Sequence, residues 1–234
     1  MDYKDYINGQ STEQFWFKSK LRLIDILLKK IKKKQLTILN MGAGTGADLE
    51  IINQYGQVYV IDINKKALAL IPSNLCVEKK LTDATNLPFP DDFFDVICSF
   101  DVYEHIKDDT KAVSESLRVL KKGGHLIFTV PAFNSLYSAH DKALNHYRRY
   151  SKKSIYILLK DTNFQYLSFW NTILFIPLAL LRIFKKKSPP KTDYFNLPSR
   201  LEKLFLMILQ IENNYVNRGK ILPYGLSLIG ICKK

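Results

Sequence analysis

The chain has 234 residues, of which 47% are hydrophobic and 12% aromatic. This length suits one α/β domain with a small appendage, and this composition excludes a disordered or collagen-like chain. The 35 lysines and arginines exceed the 22 acidic residues and give a formal charge of +13. Such a charge favours anionic partners, among them nucleic acid, acidic lipid head groups and phosphorylated substrates, without selecting one.

The three cysteines, Cys76, Cys98 and Cys232, lie far apart and form no C-x-x-C spacing. An odd and scattered set argues against a disulfide framework and against a zinc knuckle. The first residues, MDYKDYINGQSTEQF, contain no apolar segment of the kind found in a secretory signal. We therefore expect a reduced, cytoplasmic protein.

The predicted elements begin with an amphipathic helix over 13–31, where apolar residues recur three and four positions apart. From residue 36 onwards, short apolar runs typical of buried strands alternate with helical segments. Strands are predicted over 36–41, 57–63, 93–101, 125–132, 164–173 and 225–233, with a weaker one within 76–84. Helices are predicted over 47–55, 65–71, 109–121, where Gly123-Gly124 stops the helix, and 151–162, with Ser151 as the N-cap.

Strands that alternate with helices indicate an α/β fold with a seven-stranded, mostly parallel sheet and helices on both faces. Residues 175–222 interrupt this alternation, because they are first apolar, then basic and then broken by prolines. Within them, Ser199-x-x-Glu202 has the spacing of a capping box and predicts a helix. We therefore predict an N-terminal helical segment (1–35), a main domain (36–174 and 223–234) and a helical insertion (175–222).

Three glycines, Gly42, Gly44 and Gly46, follow the first predicted strand and open the next helix. Glycines there keep side chains away from the strand ends, and a helix N-terminus offers free N–H groups to a nucleotide-like ligand. The spacing Gly42-x-Gly44-x-x-Ala47 also satisfies the dinucleotide fingerprint. The loop therefore predicts an adenosine ligand without deciding which one.

Asp62 ends the second predicted strand, in the segment VIDIN. A carboxylate at this position can accept hydrogen bonds from both ribose hydroxyls of a bound adenosine. It fits NAD and S-adenosylmethionine equally well.

Taken together, the motifs over residues 36–132 resemble those of the class I S-adenosylmethionine-dependent methyltransferases, in particular the methyltransferase type 11 group. ILNMGAGTGADL is similar to the first motif of that family, VIDIN to the second, and TDATNLPFPDDFFDVICSFDVYEHI to the third and fourth. The resemblance implies a Rossmann-like fold, methyl transfer as the activity and S-adenosylmethionine as the cofactor. EQFWFKSKLRLI resembles a helix that covers the cofactor in one sub-group, so residues 1–35 are expected to form a lid.

The resemblance also implies which residues hold the cofactor. Asp62 would bind the ribose, Asp83 and Ala84 would meet the adenine, and the segment that begins at Phe100 would line the ligand. Since the family usually has an acidic residue where Asn40 stands, we expect the methionine ammonium group to be held more weakly, by about 1 kcal/mol. The complete expected set is Asn40, Gly42, Ala43, Gly44, Gly46, Asp62, Ile63, Asp83, Ala84 and Phe100.

A dehydrogenase is the alternative that shares the glycine loop. Tyr156-x-x-x-Lys160 matches the acid/base pair of the short-chain dehydrogenases. However, the fifth predicted strand carries no serine to complete such a site, and the glycine loop lacks the wider spacing of that group. Short motifs of this kind also recur by chance, so the methyltransferase interpretation is favoured.

The segment HDKALNHYRRY (140–150) is the most polar cluster after the fifth predicted strand, at the edge where α/β sheets bind ligands. His140 or His146 is a candidate for the base that removes a proton from the acceptor. Arg148 and Arg149 are candidates for orienting an anionic group of the acceptor. The segment resembles a stretch in methyltransferases of cell-surface saccharide and lipid-linked glycan pathways.

Other chemistries find less support in the sequence. SFDVYEH, after the fourth strand, lacks both the (D/N)-P-P-(Y/F) string of amine methylases and a Pro-Cys nucleophile, and Cys98 is expected in the core. A metal site formed by His140, Asp141 and His146 rests on spacing alone, so no metal is expected. His105 is expected to orient or pack against its neighbours.

We therefore expect O-directed methyl transfer to a small-molecule or lipid-linked saccharide acceptor. Two rivals remain open: an RNA methyltransferase that uses the basic surface, and a noncatalytic methyltransferase-like partner subunit, which Asn40 alone suggests.

The region that could contact a membrane begins with 20 uncharged residues, from Thr162 to Leu181. Because polar residues and Pro177 interrupt it, and because its first half is needed as a strand, a membrane span is not expected. Two interpretations of the insertion remain open: contact with an anionic membrane surface, and a helical cap over the substrate pocket.

Overall fold

The computed structural model describes Ile7, residues 12–191 and residues 197–234. The predicted lid and insertion therefore each lie partly outside the described residues. Within the described part of the chain, seven strands form one sheet in the order β3-β2-β1-β4-β5-β7-β6. The strands are β1 (Leu36–Met41), β2 (Gly56–Asp62), β3 (Glu78–Leu81), β4 (Phe94–Phe100), β5 (Leu120–Pro131), β6 (Asn163–Trp170) and β7 (Ser227–Lys233).

The sheet is mostly parallel, which confirms the predicted fold class. Strands β1 to β5 run parallel to one another, and β7 is antiparallel to both β5 and β6. The longer helices are α1 (Phe15–Lys29), α4 (Asp109–Val119), α7 (Phe175–Phe184) and α8 (Ser199–Asn217). The shorter ones are α2 (Leu49–Ile52), α3 (Lys65–Leu70), α5 (Ala139–Ala143) and α6 (Lys152–Leu158).

Several helix boundaries follow the local sequence. Ser151 caps α6, because its hydroxyl oxygen accepts a hydrogen bond from Ser154 N at 3.1 Å, as predicted. Asp108 caps α4 in the same way through Lys111 N. The helix predicted over 47–55 is shorter, because α2 ends at Ile52 and a 3₁₀ turn follows.

One predicted helix end and one predicted helix cap are wrong. Helix α4 ends at Val119, before the glycine pair that was expected to stop it, because Leu120 is already extended and begins β5. The capping box of Ser199 does not form, since the cap position is Pro198 and no side chain caps the helix. Glu202 instead accepts a hydrogen bond from Phe15 N at 2.8 Å, which satisfies a free N–H group at the start of α1.

Helices α1 and α8 pack on one face of the sheet, where they enclose Trp170 of β6. The rings of Trp16 and Trp170 lie 4.9 Å apart between centroids. Asn213 of α8 binds both β6 and α1. Its Oδ1 accepts a hydrogen bond from Trp170 Nε1 at 2.9 Å, and its Nδ2 donates one to Ser19 O at 2.9 Å. One amide therefore fixes α8 to both α1 and the sheet.

No helix among the described residues is long and apolar enough to cross a membrane. The uncharged stretch from Thr162 to Leu181 is divided between β6 and α7, as the need for a strand in its first half predicted. Cys98 lies in the core, and all three cysteines are free thiols.

Replacing Asn213 with alanine should destabilise the protein, because the buried Trp170 N–H and Ser19 carbonyl would lose their partner. The expected loss is about 2–3 kcal/mol in the free energy of unfolding, measured with urea. Asn214→Ala, at the exposed neighbouring position, is the matched control and should cost less than about 0.5 kcal/mol. Equal losses in the two variants would show that the Asn213 bridge contributes nothing.

Candidate functional site

The carboxyl ends of the parallel strands border a cavity of about 1200 Å³. The cavity lies where the strand order reverses between β1 and β4, which is where open α/β sheets bind their ligands. Its walls come from the loop after β1, the end of β2, the turn after β4, helix α1 and the segment that follows α5. This volume is sufficient for a nucleoside cofactor beside a second small molecule.

The glycine loop after β1 adopts backbone angles that favour glycine. Gly42, Gly44 and Gly46 have φ values of +69°, +54° and +74°. A Cβ atom on Gly42 would lie 2.7 Å from Val102 Cγ2, and one on Gly46 would lie 2.8 Å from Ile71 Cγ1. Gly42 and Gly44 line the cavity, whereas Gly46 packs against protein atoms behind the loop. Close packing at Gly42 and Gly46 is thus an additional reason why a larger residue does not fit there.

Asp62 connects the end of β2 to the glycine loop. Its Oδ2 accepts a hydrogen bond from Gly44 N at 2.7 Å, and its Oδ1 accepts one from Asn64 N at 2.8 Å. A carboxylate has about four acceptor positions, so each oxygen can accept more than one hydrogen bond. The side chain lines the cavity, as its predicted role requires.

Asn40 is buried and does not line the cavity. Its Nδ2 donates a hydrogen bond to Asp48 Oδ1 at 3.1 Å, and Asp48 is the residue that reaches the cavity wall. The sequence reasoning missed Asp48, although an acidic residue in the first turn after a glycine loop is a signal that could have identified it. Asp48 can therefore present a negative charge to the cavity although Asn40 cannot.

The remaining predicted cofactor residues, Ala43, Ile63, Asp83, Ala84 and Phe100, all line the cavity. Asp83 Oδ1 accepts a hydrogen bond from Thr85 N at 2.7 Å, which fixes its carboxyl group. Ile63 is 73% exposed, so a flat ring placed against it would cover apolar surface that water now contacts.

Helix α1 contributes Lys20 to the cavity, where it forms an ion pair with Asp101 after β4. Burial opposes the charge on Lys20, but the Asp101 carboxylate outweighs this effect and raises the Lys20 pKa. Asp101 Oδ1 also accepts a hydrogen bond from Thr129 Oγ1 at 2.7 Å. This pair holds the described part of the predicted lid against the edge of the sheet.

Asp141 organises the segment that follows α5. Its Oδ1 accepts hydrogen bonds from His146 Nδ1 at 2.9 Å and from Arg149 Nε at 2.7 Å, and its Oδ2 accepts from Ser138 N at 2.9 Å. Burial would raise the pKa of Asp141, but the bonds from His146 and Arg149 hold it well below the ordinary value. Asp141 is therefore an ionised, buried anchor for both residues.

The two predicted arginines are placed differently. Arg149 lines the cavity, is 4% exposed, and also donates to Ala132 O at 3.2 Å. Arg148 does not line the cavity; its Nη1 donates to Asp109 Oδ1 at 2.6 Å instead. The carboxylate at the start of α4 thus draws Arg148 away from the position that clamping an acceptor would need.

Both predicted histidines, His140 and His146, line the cavity, and their ring centroids are 6.5 Å apart. Burial and the positive charge of Arg182 hold the pKa of His140 well below its ordinary value. Its imidazole is therefore neutral at neutral pH. Tyr156 of the dehydrogenase string does not line the cavity and contacts Phe164 instead, with ring centroids 4.7 Å apart.

A second group of titratable residues faces the cavity: Glu104 and His105, in the turn after β4, together with His146. One donor atom from each lies within 4.8 Å of the other two. Glu104 is fully buried, and neither of its carboxylate oxygens has a hydrogen-bond partner among the described residues. Burial and the negative charge of Asp101 raise the Glu104 pKa well above its ordinary range. The sequence reasoning missed Glu104 and paired His146 with His140 and Asp141 in its metal alternative.

Comparison with known proteins identifies methyltransferases that are similar to this chain. The methyltransferase domain family matches residues 39–128. A probable S-adenosylmethionine-dependent methyltransferase of Mycobacterium tuberculosis is 30% identical over 155 residues, which are 65% of this chain and 56% of that protein. A ubiquinone/menaquinone biosynthesis C-methyltransferase of Vibrio vulnificus is 34% identical over 119 residues, which are 44% of this chain and 45% of that protein. The chain thus spans about half the length of these curated relatives.

The same fold occurs among solved structures. The crystal structure of an S-adenosylmethionine-dependent methyltransferase from Archaeoglobus fulgidus superposes with a TM-score of 0.58. The match covers 94% of this chain and 99% of that chain at 17% sequence identity, so it supports the fold alone.

Asp141→Asn should destabilise the protein by about 3–5 kcal/mol at pH 7, because it leaves Arg149 buried without its counter-charge. The folded-state pKa of Asp141 is depressed, so its contribution is complete above the unfolded pKa of about 4 and is lost as the pH falls through the folded value. Urea unfolding should therefore show a constant difference between wild type and variant from pH 8 to pH 5, and a smaller one below pH 4. Asp91→Asn, in the exposed pair with Arg118, is the control and should change stability by less than about 1 kcal/mol. A difference that grows on acidification contradicts this assignment.

Proposed function

Because the chain belongs to the class I S-adenosylmethionine-dependent methyltransferase family, we propose that it transfers a methyl group to an oxygen atom of a small-molecule or lipid-linked saccharide acceptor. The observation that carries the proposal is the polar wall of the cavity, where a neutral histidine and an Asp141-bound histidine meet the cofactor side of the sheet. A hydroxyl acceptor must lose its proton during the transfer, and this wall holds two groups that can take it.

The cofactor side of the cavity fits S-adenosylmethionine, the cofactor of this family. Asp62 lines the cavity beside Gly42 and Gly44, where its carboxylate is assigned to the ribose hydroxyls. Asp83 and Ala84 are assigned to the adenine. Asn40 has no negative charge for the methionine ammonium group, and Asp48 provides that charge instead. The expected weakening of cofactor binding is therefore offset.

The cofactor supplies a methyl group that its sulfonium already activates, so the protein's own task is positioning and proton removal. His140 or His146 takes the proton of the acceptor hydroxyl. Asp141 fixes the ring of His146 by binding Nδ1, which leaves Nε2 as the accepting nitrogen. Arg149, held beside it by the same carboxylate, can still offer N–H donors to an anionic group of the acceptor.

A lipid-linked acceptor is supported by helix α7, which borders both the cavity and the solvent. Leu178 and Arg182 line the cavity. The opposite face exposes a row of large apolar side chains, and three lysines follow directly: Ile176, Leu180, Ile183, Phe184 and then Lys185, Lys186 and Lys187. Apolar side chains beside lysines are typical of contact with an anionic membrane surface. The protein is therefore proposed to bind such a surface peripherally, with its cavity open towards the lipid.

Turnover of histidine variants tests the proposed reaction. His140→Ala and His146→Ala should slow methyl transfer, by about 100-fold for the residue that takes the proton. Both variants should bind S-adenosylhomocysteine with an affinity within about twofold of wild type by calorimetry, since neither residue is assigned to the cofactor. Unchanged turnover in both variants removes these histidines from the mechanism.

The acceptor class is decided by the product. Labelled S-adenosylmethionine is offered with polyprenyl-linked saccharides, free saccharides, quinone precursors and RNA. A methyl ether on the saccharide supports the proposal. Transfer to carbon, as the name of the Vibrio relative states for that protein, or transfer to RNA, overturns the assignment of the acceptor.

Vesicle binding tests the membrane surface. The wild-type chain should float together with anionic phosphatidylglycerol vesicles, and high salt should weaken this binding. The double variant Leu180→Ser, Phe184→Ser should bind about tenfold more weakly, because it removes apolar surface that the lipid would cover. Ile157→Ser, at an equally exposed position on α6, is the control and should bind like wild type. Equal binding to neutral phosphatidylcholine, or no loss in the double variant, contradicts the assignment.

A further inference from the structure

We propose that Glu104, His105 and His146 bind one divalent transition-metal cation in the wall of the cavity. The inference deepens the proposed function, because the cation would act on the acceptor oxygen in the same site. Ligand atoms about 2.1 Å from a bound ion stand roughly 3–4 Å apart. The three donor atoms here already lie within 4.8 Å of one another, so small side-chain adjustments would bring them to an ion.

The backbone holds the two contributing segments together. Tyr147 N donates a hydrogen bond to Glu104 O at 2.7 Å, which joins the segment after α5 to the turn after β4. The rings of His105 and His146 meet edge to face, with centroids 4.6 Å apart. Tyr137 Oη donates to His146 O at 2.7 Å and fixes this backbone from the other side. The arrangement is thus prepared by contacts that do not involve an ion.

Glu104 is the observation that points to a ligand. It is fully buried, and within residues 12–191 and 197–234 its two carboxylate oxygens have no hydrogen-bond partner, although polar groups in protein interiors are almost always paired. An unpaired carboxyl group in such a place is costly. The nearby Asp101 and Asp141 are each satisfied by a neighbouring cation, Lys20 and Arg149 respectively. A cation at Glu104 would supply the charge and the bonds that this side chain lacks.

His146 has the outer partner that metal-binding histidines typically have. Its Nδ1 is bonded to the ionised carboxylate of Asp141 at 2.9 Å, so that nitrogen carries the proton. Nε2 then has the lone pair that a metal needs. Such a carboxylate behind the ring orients the imidazole and increases its basicity.

Two imidazoles and one carboxylate select the class of cation. This donor set suits Zn²⁺, Mn²⁺, Co²⁺ or Fe²⁺, whereas Mg²⁺ and Ca²⁺ prefer oxygen ligands throughout. Three protein ligands leave coordination positions for water or an acceptor oxygen, which is the composition of catalytic rather than structural sites.

An acceptor hydroxyl bound to such a cation loses its proton more readily. The oxygen then forms a bond to the methyl carbon as the carbon–sulfur bond breaks and its electron pair goes to sulfur. The proton leaves to His140 or to water. His146 acts as a ligand in this reaction, so His140 is the histidine that remains to take the proton.

Metal binding by the full chain, stripped with EDTA and saturated with S-adenosylhomocysteine, tests the site without an acceptor. Calorimetry should show one Zn²⁺, Mn²⁺ or Co²⁺ per chain and much weaker Mg²⁺ binding. Glu104→Gln and His105→Gln should each weaken binding at least tenfold, and bound Co²⁺ should show a visible absorption band that both variants lose. His125→Gln, in the middle of β5 and not among the residues that line the cavity, is the control and should bind like wild type.

Thermal unfolding and S-adenosylhomocysteine affinity must match wild type in the variants used, and His105→Gln carries the test if Glu104→Gln does not fold. Equal metal affinity in the variants and wild type, or no stoichiometric binding, overturns the site. Methyl transfer to saccharide that EDTA does not reduce also overturns the cation's role, and leaves the proposed function standing. Stoichiometric binding that the variants abolish, in a chain that methylates no hydroxyl, supports the site and overturns the proposed function instead.

Discussion

Three carboxyl groups at or directly behind the cavity wall have to be balanced, because a charge removed from water is costly without a counter-charge. Asp101 is balanced by Lys20, and this pair holds helix α1 to the edge of the sheet. Asp141 is balanced by Arg149 and His146, and this network gives the segment after α5 its shape. The carboxyl group of Glu104 has no hydrogen-bonding partner in the described part of the chain. Helix α1 and the segment after α5 are therefore both positioned by buried charge.

The sequence predicted the fold well because the evidence for it is local. Apolar runs, glycines and the cap at Ser151 each report on a few neighbouring residues, and the seven strands follow from them. The sequence predictions fail where a side chain bonds to a residue that is distant in the sequence instead of to a local partner. Glu202 accepts a hydrogen bond from Phe15 N at the start of α1 instead of capping its own helix, and these two residues are 187 positions apart. Asp109 holds Arg148, 39 positions away, outside the cavity.

For the same reason, the glycine loop and Asp62 were easier to predict from the sequence than the contacts of the segment after α5. Asp62 and the glycine loop lie at the ends of adjacent parallel strands, so their proximity follows from the topology. Lys20 and Asp101 are 81 positions apart, and Glu104 meets His146 only because the turn after β4 contacts the segment after α5. The periodicity of apolar residues and the short sequence motifs contain no information about such contacts. These contacts depend on how loops pack across the edge of the sheet.

The cavity carries charges of both signs. Asp48 and Asp62 line it beside the glycine loop, and negative charge there favours a cofactor that carries a sulfonium and an ammonium group. Lys20, Arg149 and Arg182 also line the cavity and offer positive charge to an anionic group of an acceptor. At the surface, the lysines after α7 adjoin exposed apolar side chains. An anionic lipid surface can bind both the lysines and the apolar side chains, and this combination favours a lipid-linked acceptor over RNA.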